Sequence, residues 1–271
     1  MTLVCDSHTH SNFSSDCTIP LEEMLQQAIR LGLTHYAVTD HHDPDFPYAT
    51  PEVDFLLDAK AYQTEVFRLR EKYKGQIELL FGVELGLQPQ VGDHLRDFVS
   101  RLPLDFIIGS SHVVHGRDPY HGDYFDGRSE EEGYRVYFAS ILENTQAFNG
   151  FSVYGHLDYV VRNGPTRDEN YDPSDYMDVL EPALREIIAL GKGIEVNTSG
   201  PSRGLKQLHP HPAILRRYRE LGGEIITIGS DAHTPPSIGR NFEAARNMLL
   251  DCGFTHYCYF RNLQPVFLPL A

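Results

Sequence analysis

A chain of 271 residues, 41% hydrophobic and 23% charged, can bury one large core, and a single α/β barrel commonly has this size. It holds no low-complexity tract and no apolar run long enough to span a bilayer. Its formal net charge of -15 disfavours nucleic acid or an anionic membrane as partner, since both call for a basic footprint.

The first stretch, Leu3-Val4-Cys5-Asp6-Ser7-His8-Thr9-His10, is a short apolar run leading into two histidines spaced i, i+2. In extended backbone both side chains point the same way, whereas a helix sets them about 200° apart. The pattern predicts a strand, entered at once from Met1 and Thr2. That start lacks a basic segment followed by a long apolar one, so the reading is no signal peptide and a cytoplasmic address. Over 20–29, Leu21, Met24, Leu25, Ala28 and Ile29 form a helical stripe, with Gly32 near its end. Residues 36–39 predict a second strand, ending in Asp40-His41-His42. A loop rich in Pro and Asp then precedes a helix over about 52–73.

Residues 77–83 predict a strand ending at Glu84, 92–101 a short helix, and 106–111 a strand ending at His112. The stretch 113–128, with Gly116, Pro119, Gly122 and Gly127, reads as a lid loop over the site. Helices follow over 129–148, 175–190, 210–221 and 240–250. Strands are expected over 151–155 (ending at His156), 193–197 and 225–230 (running into Asp231-Ala232-His233), with a less regular one at 257–260. Alternating strands and helices imply parallel pairing through right-handed crossovers. Seven or eight such units predict a closed or nearly closed barrel, one domain over 1–271. The four cysteines, Cys5, Cys17, Cys252 and Cys258, form no Cys-x-x-Cys pair and read as reduced structural thiols.

In a parallel barrel all strand ends of one polarity face one mouth, where the loops build the site. Strand ends here carry His8, His10, His41, Glu84, His112, His156, Asp231 and His233, and Asp16 follows the first strand. Six histidines and three carboxylates are too many for one ion and suit two or three divalent ions of zinc, manganese or iron. Neighbouring ions can share one hydroxide, an arrangement suited to hydrolysing phosphate esters. Gly82, Gly109, Gly155 and Gly229 recur beside the ligands, as tight strand-end turns would require.

The segments Asp6-Ser7-His8-Thr9-His10, Thr39-Asp40-His41-His42, Gly82-Val83-Glu84, Gly109-Ser110-Ser111-His112, Gly155-His156-Leu157-Asp158 and Gly229-Ser230-Asp231-Ala232-His233 together resemble the polymerase-and-histidinol-phosphatase (PHP) superfamily. The resemblance implies a distorted (β/α)7 barrel, TIM-like, with a trinuclear site. It puts one ion on His8, His10, Glu84 and Asp231. A second falls on Glu84, His112 and His156, with Glu84 bridging, and a third on Asp16, His41 and His233. Gly155-His156-Leu157-Asp158 followed by Arg162, the run 194–200 and the terminal 265–270 are most similar to the superfamily's histidinol-phosphate phosphatase branch.

That branch implies hydrolysis of L-histidinol phosphate to L-histidinol and phosphate, a step of histidine biosynthesis, with a metal-bridging hydroxide as nucleophile. Asp231, His42 and Arg162 are the residues expected at the reacting centre. The expected substrate contacts are His42, Arg162, Arg203, Ser199 and Arg117, with Asp123, Asp126, Tyr120 and Tyr124 near the ammonium and imidazole. A small phosphate monoester is the expected partner; the sequence leaves the oligomeric state open. One alternative keeps the site and takes a mononucleotide or another small monoester. An amidohydrolase is a third reading, but no lysine follows an obvious strand to bridge metals. A degenerate, non-catalytic module predicts lost ligands, and all nine are present.

Overall fold

Eight short, mostly apolar segments form the centre of the computed structural model, which describes residues 3–271. They are β1 (Cys5–Asp6), β2 (His35–Val38), β3 (His41–His42), β4 (Glu78–Gly86), β5 (Phe106–Ser110), β6 (Val153–Tyr154), β7 (Gly193–Asn197) and β8 (Ile226–Gly229). They pair in parallel in the order β1-β2-β4-β5-β6-β7-β8. β3 joins β4 in the register of β2, since Val38 faces Phe81 and His41 faces Glu84. It therefore continues β2, giving seven strand positions. Ser7 N–H donates to Ile228 O at 3.0 Å and Asp231 N–H to His8 O at 2.8 Å. Thr9 also bridges Ala232 in parallel, so the sheet nearly closes on itself. The expected distorted seven-stranded barrel is the observed fold; Met1 and Thr2, expected to lead into its first strand, lie outside the described residues.

Helices α1 (Leu21–Arg30), α2 (Ala59–Lys72), α3 (Gly92–Ser100), α4 (Glu130–Ala147), α5 (Tyr159–Asn163), α6 (Met177–Ala189), α7 (Pro212–Glu220) and α8 (Phe242–Asp251) complete the βα units. On α1, the predicted stripe Leu21, Met24, Leu25 and Ala28 is buried. Strands covered on both faces read as continuous apolar runs, and β4 is buried along almost its whole length.

Three expectations change. The helix predicted over 52–73 begins only at Ala59, where the Asp58 carboxylate caps it by accepting from Ala61 N–H at 3.0 Å. Residues 52–58 instead form loop, and Val53 and Phe55 reach a cavity at the barrel mouth. The five-residue α5 was not foreseen, because one turn leaves no periodicity to read. The final strand is regular: β9 (His256–Arg261) pairs antiparallel with β10 (Gln264–Pro269). Its turn, Asn262-Leu263, has positive φ at both residues (50° and 60°), the conformation of a primed hairpin turn usually marked by Asn-Gly. Phe260 stacks on Phe106 at 5.2 Å, so this hairpin covers the barrel end opposite the histidines. All four cysteines are free and buried. Among the described residues no helix is long and apolar enough to cross a membrane.

Candidate metal centre

All nine sequence-predicted ligands meet at the carboxyl-terminal mouth of the barrel. Glu84, projecting inward from β4, is the centre. Its Oε2 lies 3.0 Å from His8 Nε2, 3.5 Å from His10 Nε2 and 3.3 Å from His41 Nδ1. Its Oε1 lies 2.9 Å from His156 Nε2 and 3.2 Å from His112 Nε2. Asp231 Oδ1 stands 3.5 Å from His10 Nε2 and 3.6 Å from His233 Nδ1. Asp16 Oδ2 stands 3.0 Å from His233 Nε2 and 3.6 Å from His41 Nε2. The His10 ring lies against both His41 and His233, at 4.3 and 4.2 Å, and those two rings are 6.3 Å from each other.

Two further carboxylates orient these rings and were missed in the sequence. Glu195 Oε1 lies 2.6 Å from His8 Nδ1, and its Oε2 accepts from His156 N–H at 3.0 Å. Asp43 Oδ2 lies 2.5 Å from His112 Nδ1. Both left a signal. Glu195 is a lone charge inside the apolar strand β7, and Asp43 follows His41 at i+2, hence on its side of the chain. The glycines beside the ligands work differently from expectation: none of Gly82, Gly109, Gly155 and Gly229 has positive φ. Gly229 is needed for close approach, because a Cβ there would stand 2.2 Å from His8 Cβ and 2.5 Å from Glu195 Oε1. Asp231 does take the left-handed conformation (φ 54°), which short polar residues tolerate at small cost.

The donor set fits divalent cations. A neutral His8 places its proton on Nδ1 against Glu195, so its Nε2 lone pair faces Glu84 Oε2 and, at 3.1 Å, His10 Nε2. Electron-rich atoms crowded together out of water repel unless positive charge sits among them. His41 Nδ1 and Asp43 Oδ1 are likewise buried without a hydrogen-bond partner, 3.7 Å apart. The field of the site draws in positive charge. Burial works against a charge on His112, yet Asp43 and Glu84 outweigh it and push its pKa up to about 10. Glu195 and Glu84 likewise overcome burial at His8 and hold its pKa well above the usual range.

Beside the candidate ligands opens a cavity of about 700 Å³, lined by Arg162, Arg167 and Arg203 together with Phe46, Tyr48, Phe55, Asp118, Tyr120 and His121. Arg162, expected from sequence, stacks over Tyr159 at 4.1 Å and lies 3.5 Å from Asp231 Oδ2. Arg203 is on the wall as expected, and Arg167 was not foreseen.

Three expected substrate contacts lie elsewhere. Strand alternation turns His42 away from His41: it stacks on Phe98 at 3.8 Å, its Nε2 is 3.1 Å from His94 Nε2, and its Nδ1 accepts from Leu57 N–H. Arg117 donates to the carbonyls of Asp123 and Asp126, bracing its own loop. Ser199 Oγ donates to Asn197 at 2.7 Å and approaches Asp231 Oδ2 at 3.2 Å, so it braces Asp231 and is not among the residues that line the cavity. Of the loop residues expected near substrate, Tyr120 lines the cavity. Tyr124 is buried on Gly133 O, and Asp123 is held by Tyr48 Oη at 2.8 Å.

Comparison with known proteins agrees with this geometry. A histidinol-phosphatase of Lactococcus lactis is 29% identical over 263 residues, spanning 96% of this chain and 95% of its own. A probable histidinol-phosphatase of Clostridium acetobutylicum is also 29% identical, over 98% of this chain and 96% of its own. Among solved structures, histidinol phosphate phosphatase from Lactococcus lactis, complexed with zinc, L-histidinol and phosphate, superposes with a TM-score of 0.86 at 28% identity, covering 97% of this chain and 98% of that one. The PHP domain model matches residues 6–199, the span from the first strand through β7, and the chain belongs to the PHP domain family.

Proposed function

We propose that this protein is a metal-dependent phosphatase that converts L-histidinol phosphate and water to L-histidinol and inorganic phosphate. The observation that carries the reading is the convergence of the nine candidate ligands, with Glu84 at their centre, beside a cavity whose lining includes three arginines. The near full-length likeness to a phosphatase solved with zinc, L-histidinol and phosphate supports it. Two or three divalent ions of zinc, manganese or iron would be held by His8, His10, Glu84 and Asp231; by Glu84, His112 and His156; and by Asp16, His41 and His233. Such cations, when bound, lower the pKa of water and neutralise phosphoryl oxygens.

The chain's own groups do the rest. Arg162 and Arg203 offer planar N–H forks for the remaining phosphate oxygens, the geometry guanidinium groups match best. Packing over Tyr159 pre-orders Arg162, so little freedom is lost when phosphate arrives. The loop 113–128 supplies Asp118, Tyr120 and His121 to the wall and is read as the lid. We take 1–271 as one functional domain of a cytoplasmic enzyme whose partner is a small monoester and not nucleic acid.

The test is a substrate panel: L-histidinol phosphate against mononucleotides and other monoesters, with metal content measured on the same sample. The reading expects kcat/KM for histidinol phosphate to exceed the others by about two orders of magnitude or more. A preference for a mononucleotide would replace it with the alternative PHP phosphoesterase.

A further inference from the structure

One buried pair of side chains outside the cavity lining is used by no step above. Asp158 and His209 are 2% and 0% exposed, and Asp158 Oδ1 lies 2.5 Å from His209 Nδ1. A carboxylate only accepts, so Nδ1 carries the hydrogen. Asp158 Oδ2 takes the backbone N–H of His211 at 2.8 Å. Asp158 stands at the N-terminal cap position of α5, where aspartate is among the preferred residues, yet its side chain makes no capping bond to its own helix. His209 Nε2 is buried without a partner, a cost that an apolar side chain would avoid. Both residues forgo local satisfaction, and what each keeps is its bond to the other.

That bond joins two segments of the barrel mouth. Asp158 lies between the candidate ligand His156 and Arg162, in a segment where the Tyr159 ring already holds the Arg162 guanidinium. His209 closes the loop that follows β7: its N–H donates to Asn197 O at 2.9 Å, and Asn197 N–H donates to His209 O at 2.8 Å. Between these two residues the chain folds tightly, and a Cβ on Gly200 would stand 2.2 Å from Gln207 O. Arg203 ends the short turn Gly200–Arg203 within this loop. Its exposed side chain forms no ion pair among the described residues, so its place on the cavity wall follows from where the loop stands.

Resting on the phosphatase reading above, we propose that Asp158 and His209 are positioning residues for phosphate binding. Their bond sets the stance of the Arg203 loop against the segment bearing Arg162, and with it the spacing of two guanidinium groups that take phosphoryl oxygens. A misplacement of such a donor by about 1 Å is costly. Phosphate is common to every monoester and to the product, so breaking the pair weakens all of them alike and leaves the choice among substrate alcohols untouched.

The experiment measures inhibition of p-nitrophenyl phosphate hydrolysis by inorganic phosphate, with zinc content on the same samples. His209→Leu removes the donor, and the inhibition constant should rise about 10-fold or more with zinc per chain unchanged. Asparagine puts an amide N–H near the position of Nδ1, so His209→Asn should return the constant to within about threefold of wild type. In an Arg203→Ala background His209→Leu should add less than about twofold, because the group it positions is gone. An unchanged constant in His209→Leu overturns the proposal. So does an undiminished loss in the Arg203→Ala background, a loss of zinc, or an asparagine variant as impaired as the leucine one, each of which makes the pair a packing element. Should His209→Leu not fold, Asp158→Asn carries the same test, being isosteric and limited to a neutral bond: a rise of about threefold or more is expected, and wild-type inhibition overturns the proposal. Wild-type protein that neither hydrolyses p-nitrophenyl phosphate nor binds inorganic phosphate overturns the phosphatase reading itself, and the proposal with it.

Discussion

Glu195 Oε1 lies 2.6 Å from His8 Nδ1, with both side chains fully shut off from solvent. The other carboxylate oxygen takes the backbone N–H of His156 at 3.0 Å. One side chain on β7 thus sets the tautomer of His8, just past β1, and the position of His156, just past β6. A carboxylate behind a ligating imidazole also raises its basicity.

Glu195→Gln should therefore weaken metal binding by about 10- to 100-fold while every ligand named here remains. Titrating apo-protein with zinc against a competing chelator measures this. Wild-type affinity in the variant would reduce Glu195 to a packing residue.

Arg162 makes the opposite prediction. It approaches Asp231 only at 3.5 Å and faces the cavity. Arg162→Ala should lower kcat/KM by about two orders of magnitude, the usual loss when a fixed donor to developing charge is removed, with metal content unchanged. Full activity at full metal content would take Arg162 out of the reaction.

For His42, stacked on Phe98 and accepting from Leu57 N–H, the consequence is structural. His42→Ala should cost about 2 kcal/mol of stability through the lost stack and the unsatisfied amide, and leave kcat within about twofold. Chemical denaturation and steady-state kinetics on one preparation separate the two. A large fall in kcat with unaltered stability would return His42 to the site.

The thiols give a pH test. Burial pushes Cys258 up to about 12 and Cys17 up to about 11, and raises Cys5 and Cys252 as well. Their thiolate forms are therefore absent near pH 8, and the thiolate is the reactive species. Folded protein should consume well under about one equivalent of a disulfide reagent at that pH, and unfolded protein all four. Rapid reaction of the folded chain would contradict the burial described here.

The convergence of the nine candidate ligands was legible in the sequence because a parallel barrel gathers every strand end at one mouth, so that order along the chain becomes position around a rim. The same logic missed Glu195, which sits inside a strand and not at its end, and it left Asp43 unread although its i+2 spacing from His41 was in view. His42 was misplaced because the chain stays extended one residue past its ligand neighbour, turning the ring outward. Arg117 failed for a different reason: a loop cation between glycines can serve its own backbone as readily as a phosphate. The start of α2 and the turn at Asn262-Leu263 depend on tertiary contacts and uncommon turn residues, which no periodicity records.

The central claim is that residues far apart in the chain hold a cluster of cations about Glu84. Protein loaded with zinc, freed of excess metal and analysed by mass spectrometry should retain two or three ions per chain, and Glu84→Ala should retain about one or none. A wild-type chain that keeps no zinc, or a Glu84→Ala chain that keeps the full complement, would contradict it.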